Sequence, residues 1–197
     1  AATDSVVAES PLDNAVVRAI MDRRSVRKYK PEPVPKEMLD VILHCGINAP
    51  NAMNEQRWEV RVTNSKAFID GVTKVFIESA ENDERVKKMV ENPDFHNMFR
   101  NAPTVIFVAG KADEKSSPID CGLLGENIML AAQSMGLGTC CLGSAAGFLN
   151  SNPGAANYLK QLAFSDGYEL LYAIAIGYPD ESPEAKPRDA SKIRYIE

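Results

Sequence analysis

This sequence carries little of the usual machinery of hydrolases and metalloenzymes. Among 197 residues there are only two histidines, His44 and His96, and neither has a partner at ligand or triad spacing. No Gly-x-Ser-x-Gly elbow, no His-Glu-x-x-His helix and no Walker loop is present, so the local signatures of serine-nucleophile, zinc-dependent and nucleotide-hydrolysing chemistry are missing. Both histidines read as structural, His44 inside a predicted helix and His96 in a charged stretch. Cysteine is scarce as well. Cys45, Cys121, Cys140 and Cys141 form neither a Cys-x-x-Cys pair nor a disulfide-like framework, which favours a reducing compartment. Neighbours on a strand face opposite ways, so Cys140 and Cys141 make poor joint metal ligands and read as packing residues. No apolar run approaches the roughly 20 residues that span a bilayer. A cytoplasmic location is expected; the start at Ala1-Ala2-Thr3 without initiator Met is compatible with a trimmed terminus or with a removed export signal. Repeats and heptads are absent too.

What remains is an ordinary globular composition, 45% hydrophobic and 25% charged. A chain of this length removes roughly 70% of its extended surface from water, enough for one core without staples. Residues 1–11 are expected to be loose and 12–197 to form a single domain. Charge is unevenly spread. The net charge is -5, yet Arg18 to Lys30 carries +5, leaving -10 on the rest. Such an island in an acidic chain points to a local anionic partner and not to a general nucleic-acid surface.

Ser10-Pro11 reads as a helix start, with Leu12, Ala15, Val16, Ala19 and Ile20 on one apolar face and an end near Arg23. Pro31, Pro33 and Pro35 form an extended connector. A second helix covers 36–49, with Leu39, Ile42, Leu43 and Gly46 inward, and Pro50 stops it. Trp58, Val60 and Val62 alternate with polar residues as a half-buried strand does. Residues 66–80 return to helical spacing, and 81–100 form a charged, helical or irregular excursion. The continuous apolar run 104–109 suits a strand covered on both sides. The longest helix runs from Ser117-Pro118 to Met135 and closes on Gly136 and Gly138. A short strand at 139–142, a helix at 153–164 and a buried strand at 169–176 follow. The mixture predicts an α+β or α/β domain with four or five strands enclosed by helices.

Three stretches suit a phosphorylated, planar ligand. In Arg23-Arg24-Ser25-Val26-Arg27, guanidinium forks and a hydroxyl can surround a phosphate; a cationic helix end is the plainer alternative. The loop Pro50-Asn51-Ala52-Met53-Asn54-Glu55-Gln56-Arg57-Trp58 offers the amides of Asn54 and Gln56, which both donate and accept, or simply turn chemistry. Positive charge returns at Lys186-Pro187-Arg188 after the last strand, where a mobile charged tail is the bland reading.

Taken together, and with Asp120 to Asn127 and Gly136 to Ser144 in the same order, these stretches resemble the nitroreductase family of FMN-dependent oxidoreductases over roughly Val16 to Tyr195. The resemblance implies an α+β nitroreductase-like fold with a mostly antiparallel sheet. It also implies a homodimer with FMN at the interface and the C-terminal segment, Ile193 to Ile196, exchanged onto the partner's sheet. Arg23, Arg24, Ser25, Arg27, Lys186 and Arg188 would hold the phosphate and ribityl chain. Pro50, Asn51, Ala52, Asn54, Gln56 and backbone around Leu142, Gly143 and Ser144 would meet the ring. Two positions depart from the family pattern: Arg57 stands where proline is common between Gln and Trp, and Asn51 where Ser or Thr is frequent.

The implied activity is transfer of a hydride from NAD(P)H through FMN to a nitroaromatic, quinone or similar conjugated acceptor, by alternating half-reactions. Such chemistry belongs to the cofactor and needs no protein nucleophile or metal, in keeping with what the sequence lacks. Within the same fold, flavin-dependent dehalogenation or flavin fragmentation remain open, as does a flavin binder without turnover. A basic arm binding nucleic acid or another anion is the reading from a different class; the acidic remainder and the scarcity of interleaved aromatics count against it.

Overall fold

The computed structural model describes residues 10–196; the expectation of a loose segment at 1–11 falls mostly outside them. The helices are α1 (Ala15–Asp22), α2 (Lys36–Ile47), α3 (Lys66–Glu78), α4 (Glu84–Val90), α5 (Ser117–Ser134), α6 (Gly143–Ser151) and α7 (Ala156–Gln161). The strands are β1 (Trp58–Thr63), β2 (Thr104–Lys111), β3 (Gly138–Leu142) and β4 (Tyr168–Gly177). They form one four-stranded sheet in the order β1-β2-β4-β3, with every neighbouring pair antiparallel. This is the expected α+β arrangement.

The alternation of the central strands explains the layers. Val105 and Phe107 of β2 and Ala173 and Ala175 of β4 face a core shared with α3, α6 and α7, where Val72, Phe76, Phe99 and Leu149 are buried. Ile106, Val108, Ile174 and Ile176 face the opposite core with Ile42 of α2 and Leu124 and Ile128 of α5. Both faces are therefore covered, which is why residues 104–109 read as an unbroken apolar run. α2 and α5 pack closely because Gly46 has no Cβ: one built there would collide with the Ile128 side chain.

Several expectations need correction. α1 does not start after Ser10-Pro11; it starts at Ala15, because the Asn14 side chain accepts the Val16 and Val17 N–H groups at 3.1 Å. Ser10 instead pairs with Asp13 in a tight turn. The apolar face of α1 is not buried: Val16 is 67% exposed, as is Leu12 just before the helix at 87%, since none of the described residues covers that stripe. α6 has no counterpart in the sequence reading, because Gly143 and Gly147 weaken a pattern carried only by Ala145, Ala146 and Leu149. The single helix expected over 153–164 is a 3-10 turn, Pro153–Ala155, followed by the short α7, and the chain leaves helical geometry at Ala163 with φ 49°. The excursion 81–100 contains α4, capped by Asp83, and then turns.

Tyr172 on β4 donates its hydroxyl to the Cys121 carbonyl of α5, and Gly125 leaves room for it. Gly125→Ala should therefore overpack this contact and cost about 1–3 kcal/mol. Gly147→Ala, whose Cβ meets open space, should be neutral or stabilising by up to about 1 kcal/mol. Thermal denaturation of the two variants checks the contrast, and equal melting temperatures would contradict it.

Candidate functional site

The basic segment is held at the sheet edge. Ser25 bridges Thr139 of β3 in parallel, and the Val26 N–H donates to the Thr139 carbonyl at 2.9 Å. Four residues on, Tyr29 pairs with Pro179, the Lys30 N–H reaches the Tyr178 carbonyl and the Asp180 N–H reaches Lys28, each at 2.9 Å. The Tyr29 hydroxyl is buried and donates to the Val26 carbonyl. Burial holds its pKa well above the usual tyrosine value. Residues 23–30 are thus clamped between β3 and the chain leaving β4, with Arg23 and Arg27 on a fixed frame.

Arg23 is the most telling side chain of the set. Its side chain is 20% exposed and approaches Glu126 of α5 at 3.9 Å through Nε. Among the described residues its Nη1 is buried without a hydrogen-bond partner, and so is the Thr139 hydroxyl next to Ser25. A buried guanidinium nitrogen left unpaired costs more than a neutral group would, roughly 1–3 kcal/mol or more. Such a nitrogen fits an arriving anion. Arg27 donates its backbone N–H to Glu181, while its guanidinium donates to the Ser25 carbonyl at 3.1 Å. Arg24 is turned away: its Nη1 donates to the Met21 and Arg23 carbonyls and so caps the end of α1.

The second stretch is a strained loop pinned to α5. Met53, Asn54 and Gln56 adopt φ of 52°, 56° and 52°, a region costly for side chains with a Cβ and typical of functional loops. The Ala52 N–H donates to the buried Asp120 carboxylate at 3.1 Å, and the Ser117 hydroxyl donates to the Arg57 carbonyl at 3.0 Å. The Arg57 guanidinium pairs with Glu55 at 2.7 Å and more closely with Glu114. Arg57 therefore anchors the loop by charge. Asn51 accepts the Gln56 N–H at 2.9 Å, which closes the loop on itself. Met53, Asn54 and Gln56 stay exposed.

Leu142 ends β3, and Gly143 and Ser144 open α6. The N–H groups of that first turn have no helical acceptor, and a Cβ at Gly143 would meet only open space. Behind them Cys140 is buried and Cys141 exposed, on opposite faces. Desolvation, partial at the exposed Cys141, raises both thiols above their ordinary pKa, against the pull of the nearby arginines. Lys186 and Arg188 lie exposed on the extended segment after β4, where Arg188 donates to the Lys186 carbonyl at 3.1 Å. Among the described residues neither pairs with a carboxylate.

Asp120, Thr139 and the Arg57–Glu114 pair belong to the site yet were not singled out as site residues from the sequence. Asp120 in the first turn of the longest helix is the readable signal; Thr139 depends on which strand the basic segment joins, and the Arg57–Glu114 pair on how the 50–58 loop packs beside the start of α5. Asp120→Ala should free the Ala52 N–H and speed amide exchange across 52–56, with a stability loss of about 1–3 kcal/mol. Unchanged exchange there, followed by mass spectrometry, would remove the anchoring role.

A model of the family described as "Nitroreductase family" matches residues 20–178. The NADPH-flavin oxidoreductase of Vibrio harveyi is 28% identical over 186 residues, 89% of this chain and 70% of its own length. The FMN reductase [NAD(P)H] of Bacillus subtilis is 28% identical over 189 residues, again 89% and 70%. Among solved structures, a nitroreductase with bound FMN from Desulfitobacterium hafniense superposes with a TM-score of 0.84 at 27% identity, covering 93% of this chain and 99% of that one.

Proposed function

The chain belongs to the nitroreductase family, and we propose that it works as a homodimeric FMN-dependent NAD(P)H oxidoreductase that reduces nitroaromatic, quinone or similar conjugated acceptors in alternating half-reactions. The observation that carries this reading is the Arg23 Nη1, buried without a hydrogen-bond partner among the described residues, on the segment that Ser25 ties to Thr139; such a nitrogen suits an anion at the sheet edge. The residues suit FMN. Arg23, Ser25 and Arg27 would take the phosphate and ribityl chain, joined by Lys186 and Arg188 from the extended segment. Arg24 would act indirectly, by fixing the end of α1. Pro50, Asn51, Ala52, Asn54 and Gln56 would border the ring on a loop already paying its strain. Backbone at Leu142 and the first-turn N–H groups of α6 at Gly143 and Ser144 would meet the ring edge. Bound FMN would supply the redox chemistry, taking two electrons from a reduced nicotinamide and passing them to the acceptor.

The dimer is supported by apolar surface that this chain leaves uncovered. Leu12, Val16, Ile20 and Met21 along α1, Ile119 and Leu123 on α5, and Ile193, Tyr195 and Ile196 in the last segment are all exposed. So much unpartnered apolar surface suits a second copy, with the segment from Ile193 to Ile196 crossing to it. Among the described residues no helix is long and apolar enough to cross a membrane, and the four free thiols fit a reducing compartment such as the cytoplasm.

The purified protein should be yellow, sediment as a dimer and release FMN on denaturation. Anaerobic addition of NADH or NADPH should bleach it, and a nitroaromatic or quinone should restore the colour at a rate that sustains turnover. A colourless protein unable to bind added FMN would falsify the flavin reading. Bleaching without reoxidation by any conjugated acceptor would reduce it to a flavin binder.

A further inference from the structure

Arg27 also lines a cavity of about 790 Å³, enclosed by residues 27–33, the start of α3 and the loop 92–103. Its floor is apolar, with Ile69, Phe95 and Met98 beside Tyr29, and its walls carry charge. Most of that charge is internally matched: Lys28 faces Asp94 at 3.6 Å, and Lys66 is paired with Asp70. The cations left over are Arg27 and Arg100, against Asp180 in the lining and Glu181 on the Arg27 backbone.

Arg100 is presented by a piece of unusual backbone. Arg100 and Asn101 have φ of 58° and 63°, where glycine is at ease and arginine is not. A reciprocal pair of asparagines holds them there. The Asn101 side chain accepts the His96 and Asn97 N–H groups at 2.7 and 2.9 Å and donates to the Asp94 carbonyl at 2.6 Å. The Asn97 side chain accepts the Phe99 and Asn101 N–H groups at 2.9 and 3.1 Å and donates to the Ala102 carbonyl at 3.2 Å. Six hydrogen bonds thus stabilise a conformation that glycine would adopt without strain. The guanidinium so placed is half-buried, lines the cavity and has no hydrogen-bond or ion-pair partner among the described residues. It lies, with Arg27, within electrostatic reach of the Cys140 thiol and the Tyr29 hydroxyl.

We propose that Arg100 and Arg27 form a phosphoryl-binding pair in the wall of this cavity, with the Asn97–Asn101 cage holding Arg100 in place. Two guanidiniums near one another repel unless an anion sits between them, and their planar forks match phosphate oxygens bidentately. The apolar floor suits the flat ring that phosphorylated redox molecules carry. The single phosphate of FMN is assigned to Arg23, so the phosphoryl group offered to this cavity is one from the nicotinamide dinucleotide. That occupant rests on the flavin reading; the anion site itself rests on the cavity.

Arg100→Gly is the informative variant, because it removes the guanidinium and relieves the backbone at once. Its melting temperature should equal or exceed that of the parent. The FMN dissociation constant and, on flavin-loaded protein, the NADP⁺ dissociation constant are then measured. A weakening of three-fold or more for NADP⁺ that leaves the FMN constant within three-fold supports the proposal, and Arg100→Lys should recover part of it. A change below three-fold for NADP⁺, an equal loss for FMN, or a melting temperature lowered by several degrees overturns it. If the parent binds no FMN, calorimetry with inorganic pyrophosphate decides: binding that Arg100→Gly abolishes supports the site while the flavin reading falls, and binding indifferent to the variant overturns both. A yellow protein whose affinities ignore Arg100→Gly overturns this site alone.

Discussion

The pairing of the basic segment with β3 is the constraint on which the site depends. One parallel bridge, Ser25 to Thr139, and one antiparallel bridge, Tyr29 to Pro179, bring residues 23–30 against an otherwise open sheet edge. The edge is thereby covered, as sheet edges must be in some way. The arginines are divided at the same time: Arg23 turns toward Glu126 on α5, and Arg27 toward the cavity beneath α3. Without the two bridges the island of positive charge would be a solvated stripe. With them, one of its guanidinium nitrogens is buried with nothing to bond, a condition a folded protein sustains at a cost and relieves by binding.

α5 is the second fixed element. Its inner face, through Leu124, Ile128 and Ala132, joins the sheet to α2. Its first turn, through Ser117 and Asp120, pins the loop that follows α2. The loop's three left-handed residues are tolerable because Arg57, wedged between Glu55 and Glu114, keeps them from relaxing. Stability and site geometry therefore share the same residues, so substitutions in the first turn of α5 would disturb both.

Legibility from sequence followed physical rules. β2 and α5 were readable because they are buried by neighbours in the same chain, and burial imposes a pattern. α1 was readable as a helix but not as an exposed one, because periodicity shows that a face is apolar without showing what covers it. α6 escaped notice because two of its nine residues are glycine. The arginines, Ser25 and the loop at 50–58 were visible as residue types in family order. Their division of labour was not: Arg24 is taken up by the end of α1, and nothing in its spacing from Arg23 distinguishes the two. Arg100 was invisible for a different reason. Its role depends on a left-handed backbone set by Asn97 and Asn101 inside a charged stretch that has no periodicity.

The central claim is that the orphaned Arg23 nitrogen awaits a phosphate. The most direct test compares FMN with riboflavin, which lacks only that group, on flavin-free protein by fluorescence quenching. FMN should bind at least a hundred-fold more tightly than riboflavin, and Arg23→Ala should bring the two within about ten-fold of each other, since a charge-assisted bond to a buried guanidinium is worth roughly 1.5–3 kcal/mol. Equal affinities for the two flavins in the unaltered protein, or a preference that survives Arg23→Ala intact, would contradict it.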